Sequence, residues 1–254
     1  MTRFVGGRWT REGWVAVVFA DGYESTTVYA EIGQLWGDLE ETAERILVDV
    51  PIGLIEEGDP TREPDELTRR VVGPQAGEVR TPPVREATRK RRYPAATRVM
   101  ERKTGQSLSE AAFAASEPIA AVDELLQEVP ETRAVFGESH PELCFRAFAG
   151  EPLEYNRRHA GGYAERMRAL AEFDHDAPPT VQSAAEAVAG HPVNIEAVLD
   201  ALPRAPTPRP RSQPLRTPPA GTETAATGVE SCADYYRESL LAAGPACPCR
   251  QDKP

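Results

Sequence analysis

Three places in this chain carry side chains that could do chemistry. Asp49 lies in VDVPIGL (Val48–Leu54), at the end of a short apolar run and just before Pro51. A carboxylate at the carboxyl end of a buried strand points into the crevice where α/β sheets bind ligands. It could equally be a strand-end aspartate that satisfies a turn. Either way, a charge amid apolar residues needs a partner. Glu138, His140 and Glu142 fall within five residues in GESHPELCF (Gly137–Phe145). Two carboxylates and an imidazole so close could serve a divalent metal or move a proton. The same letters also make a helix start, with Ser139 as N-cap, Pro141 near the first helical position and Glu142 closing a capping box. Asp200 sits off the apolar stripe of a short helical pattern, which by itself describes a solvated charge.

Other residues are weaker candidates. Residues 80–103 hold nine bases against Glu86 and Glu101. Arginine forks match phosphate oxygens, so this segment is either a phosphate-binding stripe or a solvated face. Cys144 reads as a small core residue rather than a nucleophile. Only Pro248 separates Cys247 from Cys249, which is too close for a zinc pair, and Cys232 stands alone. Neither a cysteine metal site nor a disulfide framework is expected.

These groups need a scaffold. Phe4–Gly6 is a short apolar start, and Gly13–Phe19 (GWVAVVF) is a valine-rich strand closed by the turn dipeptide Asp21-Gly22. Ser25–Ala30 pairs back as a further strand. Ile32–Ala43 carries a helical apolar stripe, and Arg45–Val50 reads as a buried central strand. Gly58–Pro64 reads as a turn-rich loop. Helices are expected over Asp65–Val72, Ser109–Glu128 (with Pro118 a candidate break), Pro141–Ala149, Gly162–Phe173, Ser183–Ala189 and Asn194–Leu202. Asn194 is the N-cap of the last, and Ile195, Val198, Leu199 and Leu202 share its apolar face. Arg133–Phe136 reads as one more strand. This order suggests an α/β fold, a mixed sheet with helices on its faces.

Composition bounds the rest. The 254 residues carry a formal net charge of −11, but the charge is uneven. Residues 1–200 sum to −13 and residues 201–254 to +2, and the second stretch holds 10 of the 24 prolines. PRAPTPRPRSQPLRTPP has no helical period. The reading is a domain over 1–202 and a proline-rich, disordered tail over 203–254. A reading-frame shift near codon 201 would explain so abrupt a change. No apolar run is long enough to span a membrane. No basic start leads into an apolar segment, so a cytoplasmic protein is expected. All bases but Lys90, Lys103 and Lys253 are arginine. Low lysine and abundant carboxylates resemble proteins adapted to high salt, and an ordinary acidic cytosolic protein fits as well.

Seven short patterns occur in order: VDVPIGL, Arg62-x-x-Asp65, VRTPPVREA (Val79–Ala87), GQSLSEAAF (Gly105–Phe113), ESHPELCF (Glu138–Phe145), Gly161-Gly162 with Arg166, and Asp200-Ala201. Together, over roughly residues 3–202, they resemble the domain-of-unknown-function 429 family, predicted nucleases of the ribonuclease H-like superfamily. The resemblance implies a ribonuclease H-like fold, a mixed sheet flanked by helices. It also implies an acidic site for Mg²⁺ or Mn²⁺ that hydrolyses phosphodiesters. Carried over, Asp49, Glu138, Asp200 and Glu142 become metal ligands. His140 joins Asp49, Glu138 and Asp200 as a catalytic candidate, and Arg62 and Arg85 become phosphate contacts.

One departure bears on activity. The family's first strand carries Gly-x-Asp before a Gly-Trp strand. Gly13-Trp14 is present, but the aspartate position falls at Arg8. Arginine stays protonated and offers no acceptor, so it cannot ligate Mg²⁺. Either the enzyme is crippled or another acid such as Glu12 substitutes, for which the short spacing to Trp14 leaves little freedom. The leading expectation is a metal-dependent nuclease-like protein, weakened or inactive through Arg8. The alternative is a non-catalytic ribonuclease H-like module that binds nucleic acid or a protein partner. A small-molecule phosphate enzyme on a related actin-like fold would need a glycine-rich phosphate loop, and none is found.

Overall fold

A computed structural model of the chain describes residues 2–205 and two short strands, Leu215–Arg216 and Tyr236–Arg237, that pair antiparallel. Its centre is a five-stranded mixed sheet. Strands β1 (Arg3–Thr10), β2 (Gly13–Phe19) and β3 (Tyr23–Tyr29) form an antiparallel meander. β4 (Ala43–Val48) joins parallel to β1, and β5 (Phe136–Glu138) parallel to β4, in the order β3-β2-β1-β4-β5.

The alternation in GWVAVVF decides the layering. Successive side chains point to opposite faces of a strand, and every residue of β2 is buried. Trp14, Ala16 and Val18 therefore pack to one side, with α1 (Ile32–Leu39) and α6 (Ser116–Glu128). Val15, Val17 and Phe19 pack to the other, with α7 (Pro141–Ala149), α8 (Ala160–Phe173), α9 (Ala177–Ala187) and α10 (Ile195–Ala201). Each valine so buried contributes about 1.5–3 kcal/mol. A smaller apolar cluster ties α3 (Arg85–Thr88), α4 (Tyr93–Thr104) and α5 (Glu110–Phe113) beside α6. The remaining helix, α2 (Glu63–Val72), sits over α7.

Several boundaries differ from the sequence reading. The first strand is longer than Phe4–Gly6, because Arg8, Trp9 and Thr10 continue the ladder with β2. The strand expected at Arg133–Phe136 lies later, since parallel pairing to β4 begins at Phe136 and a 3₁₀ turn takes Pro130–Ala134. Helix α1 ends at Leu39 rather than Ala43, which opens β4 instead. Pro118 starts no break: it lies in the first turn of α6, where a missing N–H costs nothing. The break falls between α5 and α6. Ile195 is 42% exposed, off the buried face that Val198, Leu199 and Leu202 share.

The N-cap of α7 is His140, whose Nδ1 accepts from the Glu142 N–H at 3.3 Å. Ser139, the expected cap, is fully buried, with its hydroxyl 3.2 Å from the Cys144 sulfur. Packing also runs past residue 202. Pro203, Arg204 and Ala205 are buried, and Arg204 donates to the carbonyl of Ser139 at 2.8 Å. The remainder of the expected proline-rich tail lies outside the described residues, the two short strands apart.

Candidate functional site

Three elements converge at one end of the sheet. β4 and β5 are neighbours in register, Val48 opposite Glu138, so Asp49 and Glu138 leave the same edge of adjacent parallel strands. Asp200 arrives from α10. Gly6 on β1 allows this: a Cβ there would lie inside the carbonyl oxygen of Ala201 and against the backbone of Ala205. Only a glycine lets the end of α10 rest directly on the strand.

Each carboxylate ends on an arginine. Asp49 accepts the Trp9 N–H at 3.2 Å through Oδ1, and its Oδ2 meets Arg8 Nη1. Arg8 Nε lies 3.5 Å from Asp200 Oδ2, which also accepts from Arg157 Nη1 at 2.8 Å. Glu138 Oε2 accepts from the Ile52 N–H at 2.9 Å and from Arg62 Nη2 at 2.5 Å. Arg62 also reaches Asp65, at 3.4 Å. Glu142 pairs with Arg166, itself anchored to the carbonyls of Tyr155 and Gly162. Any Cβ on Gly162 would collide with the Asn156 carbonyl, which explains the Gly161-Gly162 pattern: the 155–162 turn closes tightly under Arg166.

The electrostatics follow from burial. Asp200 is 0%, Glu142 2% and Glu138 7% exposed. Burial alone would raise the Asp49 carboxyl, but Arg8, then Arg204 and the Trp9 N–H, outweigh it and hold it below the usual carboxylate range. Burial likewise opposes the charge on Arg8, and Asp49 and Asp200 more than restore it. Burial pushes Glu142 up despite Arg166, with Asp200 adding repulsion. His140 is driven down to about 3, by burial first and then by Arg204 and Arg157. It is a neutral imidazole whose second ring nitrogen donates to the Glu78 carbonyl. With Nδ1 on the Glu142 N–H, neither ring nitrogen is open to a substrate.

The expected phosphate contacts also face inward. Arg62 is 1% exposed, and Arg85 spends its guanidinium on Asp123 (2.9 Å) and Glu56. Within the basic segment, Glu86 gathers Lys90, Arg102 and Lys103, and Arg89 joins Asp123. Arg91, Arg92 and Arg98 are exposed and have no ion pair among the described residues. A cleft of about 270 Å³ opens beside the acids. Its lining combines the polar Arg8, Asp49, Glu138, His140 and Arg157 with Trp9, Pro82, Pro83, Ala112, Ala115, Pro118 and Ile119.

A divalent cation needs carboxylate oxygens turned toward it. Here Asp49 and Asp200 turn to Arg8, Glu138 to Arg62 and Glu142 to Arg166. Among the described residues no three acidic, histidine or cysteine side chains come together as a ligand set. The residues present do not fit Mg²⁺ or Mn²⁺ while Arg8 keeps its place.

Two further site residues escaped the sequence reading. Arg157, in a loop with no period, links Glu78, Glu196 and Asp200. Arg204, in the proline-rich stretch, is fully buried between Ser139 and Asp200. No spacing rule marks either one.

No curated protein and no solved structure matches the chain. A family model described as a protein of unknown function, DUF429, matches residues 9–223, starting one residue after Arg8. That match spans most of the chain, including the ends of β4, β5 and α10 where the acids converge, and the protein therefore belongs to the DUF429 family.

Proposed function

We propose that this protein is a ribonuclease H-like relative of metal-dependent phosphodiester hydrolases in which Arg8 silences the hydrolytic centre, and that it binds nucleic acid in the cleft without cutting it. One observation carries the reading: a single guanidinium pairs with both Asp49 and Asp200. The chemistry implied by the resemblance needs those carboxylates free for a cation. A guanidinium stays protonated and has no lone pair to ligate a metal or take a proton from water. The mixed sheet with helices on both faces, and the acids leaving adjacent parallel strands, support the superfamily assignment. Trp9 offers a stacking surface in the cleft, and Arg80, exposed at its rim, offers a cation for a phosphate backbone. The acidic body confines such binding to the cleft.

The test is a cleavage and binding assay on the full chain with single-stranded, duplex and branched DNA and RNA, in Mg²⁺, Mn²⁺ and EDTA. Binding in EDTA without metal-dependent cleavage is expected. Cleavage by the wild type that disappears in Asp49→Asn would overturn the silencing. Metal-dependent cleavage gained by Arg8→Asp would identify Arg8 as the cause. Failure to bind any of these substrates would remove nucleic acid as the ligand and leave a protein partner.

A further inference from the structure

Most charged groups of the cleft are spent on one another. Arg8 holds Asp49 and Asp200, Arg157 holds Glu78 and Asp200, and Glu138 accepts from Arg62. Two lining residues differ. Asp65, from the first turn of α2, is 5% exposed, and its Oδ1 lies 3.4 Å from Arg62. Its Oδ2 is buried with no hydrogen-bond partner. The Arg80 side chain is 43% exposed at the rim, and its guanidinium lies as far as 4.0 Å from Glu78. Between these two the lining includes Trp9, Pro82, Pro83, Pro118 and Ile119. The cleft volume of about 270 Å³ falls just below the range of about 300–1,000 Å³ common for small-molecule sites. That is room for one flat heterocycle and its sugar, not for a duplex.

We propose that the cleft takes a single nucleotide, free or unpaired within a strand, with its ring against Trp9 and the prolines, its phosphate at Arg80 and one of its N–H or O–H groups on Asp65 Oδ2. The strand-borne form rests on the nucleic-acid reading above and narrows it to one unpaired residue. A buried carboxyl oxygen without a partner has lost its water and gained no hydrogen bond, so a ligand donor is held there more firmly than at the surface. Arg62 already supplies the positive charge beside Asp65, so the missing group is a donor and not a cation. Aromatic and apolar faces accept any base, which leaves the cleft indifferent to sequence. A paired base has its edge engaged and its neighbours stacked. A duplex must therefore extrude a nucleotide to fill the cleft, at a cost that a bulge or a single strand largely avoids.

The experiment titrates the full-length wild type, Asp65→Leu and Ala114→Leu in EDTA. The probes are AMP, followed by calorimetry, and fluorescently labelled oligonucleotides, followed by anisotropy: a single strand, a perfect duplex and a duplex with a one-nucleotide bulge, as DNA and as RNA. Ala114 lines the cleft from an exposed position, so the larger side chain narrows the space without entering the core. Single strand and bulge should bind at least about tenfold more tightly than the perfect duplex, and AMP should compete with them. Both variants should lose at least about tenfold on those two probes and nothing on the duplex. Thermal melts check folding, and should Asp65→Leu fail to fold, Ala114→Leu decides. A perfect duplex bound as tightly as the bulge, or folded variants that bind the bulge unchanged, would overturn the one-nucleotide cleft and leave general nucleic-acid binding standing. AMP bound and weakened by Ala114→Leu, with no oligonucleotide bound, would uphold a free nucleotide as the occupant and sink the nucleic-acid reading. Binding of neither would overturn both.

Discussion

Replacing Arg62 by methionine tests whether the arginines are the skeleton of the site. Methionine keeps an unbranched apolar stem but removes the charge. Arg62 is 1% exposed, donates to Glu138 at 2.5 Å and lies 3.4 Å from Asp65. Without it, Glu138 retains the Ile52 N–H at 2.9 Å, and Asp65, whose carboxyl burial already raises, loses its nearest cation. Breaking a buried pair from one side costs about 3–5 kcal/mol. For a folded body of this size that lowers the melting temperature by about 8–16 °C. Glu138→Gln keeps an acceptor for Ile52 and removes the stranded charge, so the double variant should recover about 1.5–3 kcal/mol as coupling. Urea unfolding of the wild type, both single variants and the double gives the cycle. An Arg62→Met cost below about 1 kcal/mol, or a cycle without coupling, would refute the view that burial makes this pair obligatory.

Four further outcomes are expected. An unfolded imidazole takes its proton near 6.5 but the buried His140 only near 3, so the unfolded state binds more protons across that window and stability falls as pH drops. The loss is about 1.4 kcal/mol per pH unit; His140→Asn, which can still cap α7, should flatten it in urea unfolding at pH 6.5, 5.5 and 4.5, and parallel curves would contradict the cause. Gly6→Ala should cost about 3 kcal/mol or more, because the new Cβ meets the Ala201 carbonyl. By contrast Gly33→Ala, on the open face of α1, should add about 0.5–1 kcal/mol in the same melts. Arg204→Met should destabilise by about 3 kcal/mol, since the carbonyls of Ser139 and Asp200 lose a buried charged donor; an unchanged melt would mean that residues 203–205 contribute nothing to the fold.

Much of the scaffold was legible in the sequence because burial leaves a period. GWVAVVF marks β2 to the residue, and Asn194 caps α10 as read, accepting from the Ala197 N–H at 2.9 Å. Helix α4 leaves a weaker trace, because Arg98, Glu101, Arg102 and Lys103 crowd its short stripe. Its buried Ala96, Val99 and Met100 are spaced as a helix requires, and Gly105 closes it in the left-handed conformation. That Asp49 and Glu138 fall at the same end of neighbouring strands could be anticipated, since Asp49 directly follows β4 and Glu138 ends β5. The environment of Asp200 could not. Its helix buries two faces, one against the apolar core and one against Arg8 and Arg157, and periodicity reports only the apolar one. Arg8 was legible as a departure from a pattern, yet the pairing that explains it spans about 40 residues to Asp49 and nearly 200 to Asp200. Such a separation leaves no local trace.

The same arginine framework divides the molecule into two regimes of response to salt. At molar ionic strength the screening length shrinks to about 3 Å, and solvent-facing pairs weaken. Arg3–Glu24, both about one-third exposed, and the basic ring around Glu86 on α3 and α4 belong to that class. The pairs Arg62–Glu138 and Arg166–Glu142 do not, because mobile ions cannot enter where side chains are at most 9% exposed. Rising salt therefore loosens the α3–α4 periphery first and leaves the interior lattice of guanidinium and carboxylate at full strength. The site would keep its shape in a brine that has already screened the acidic surface around it.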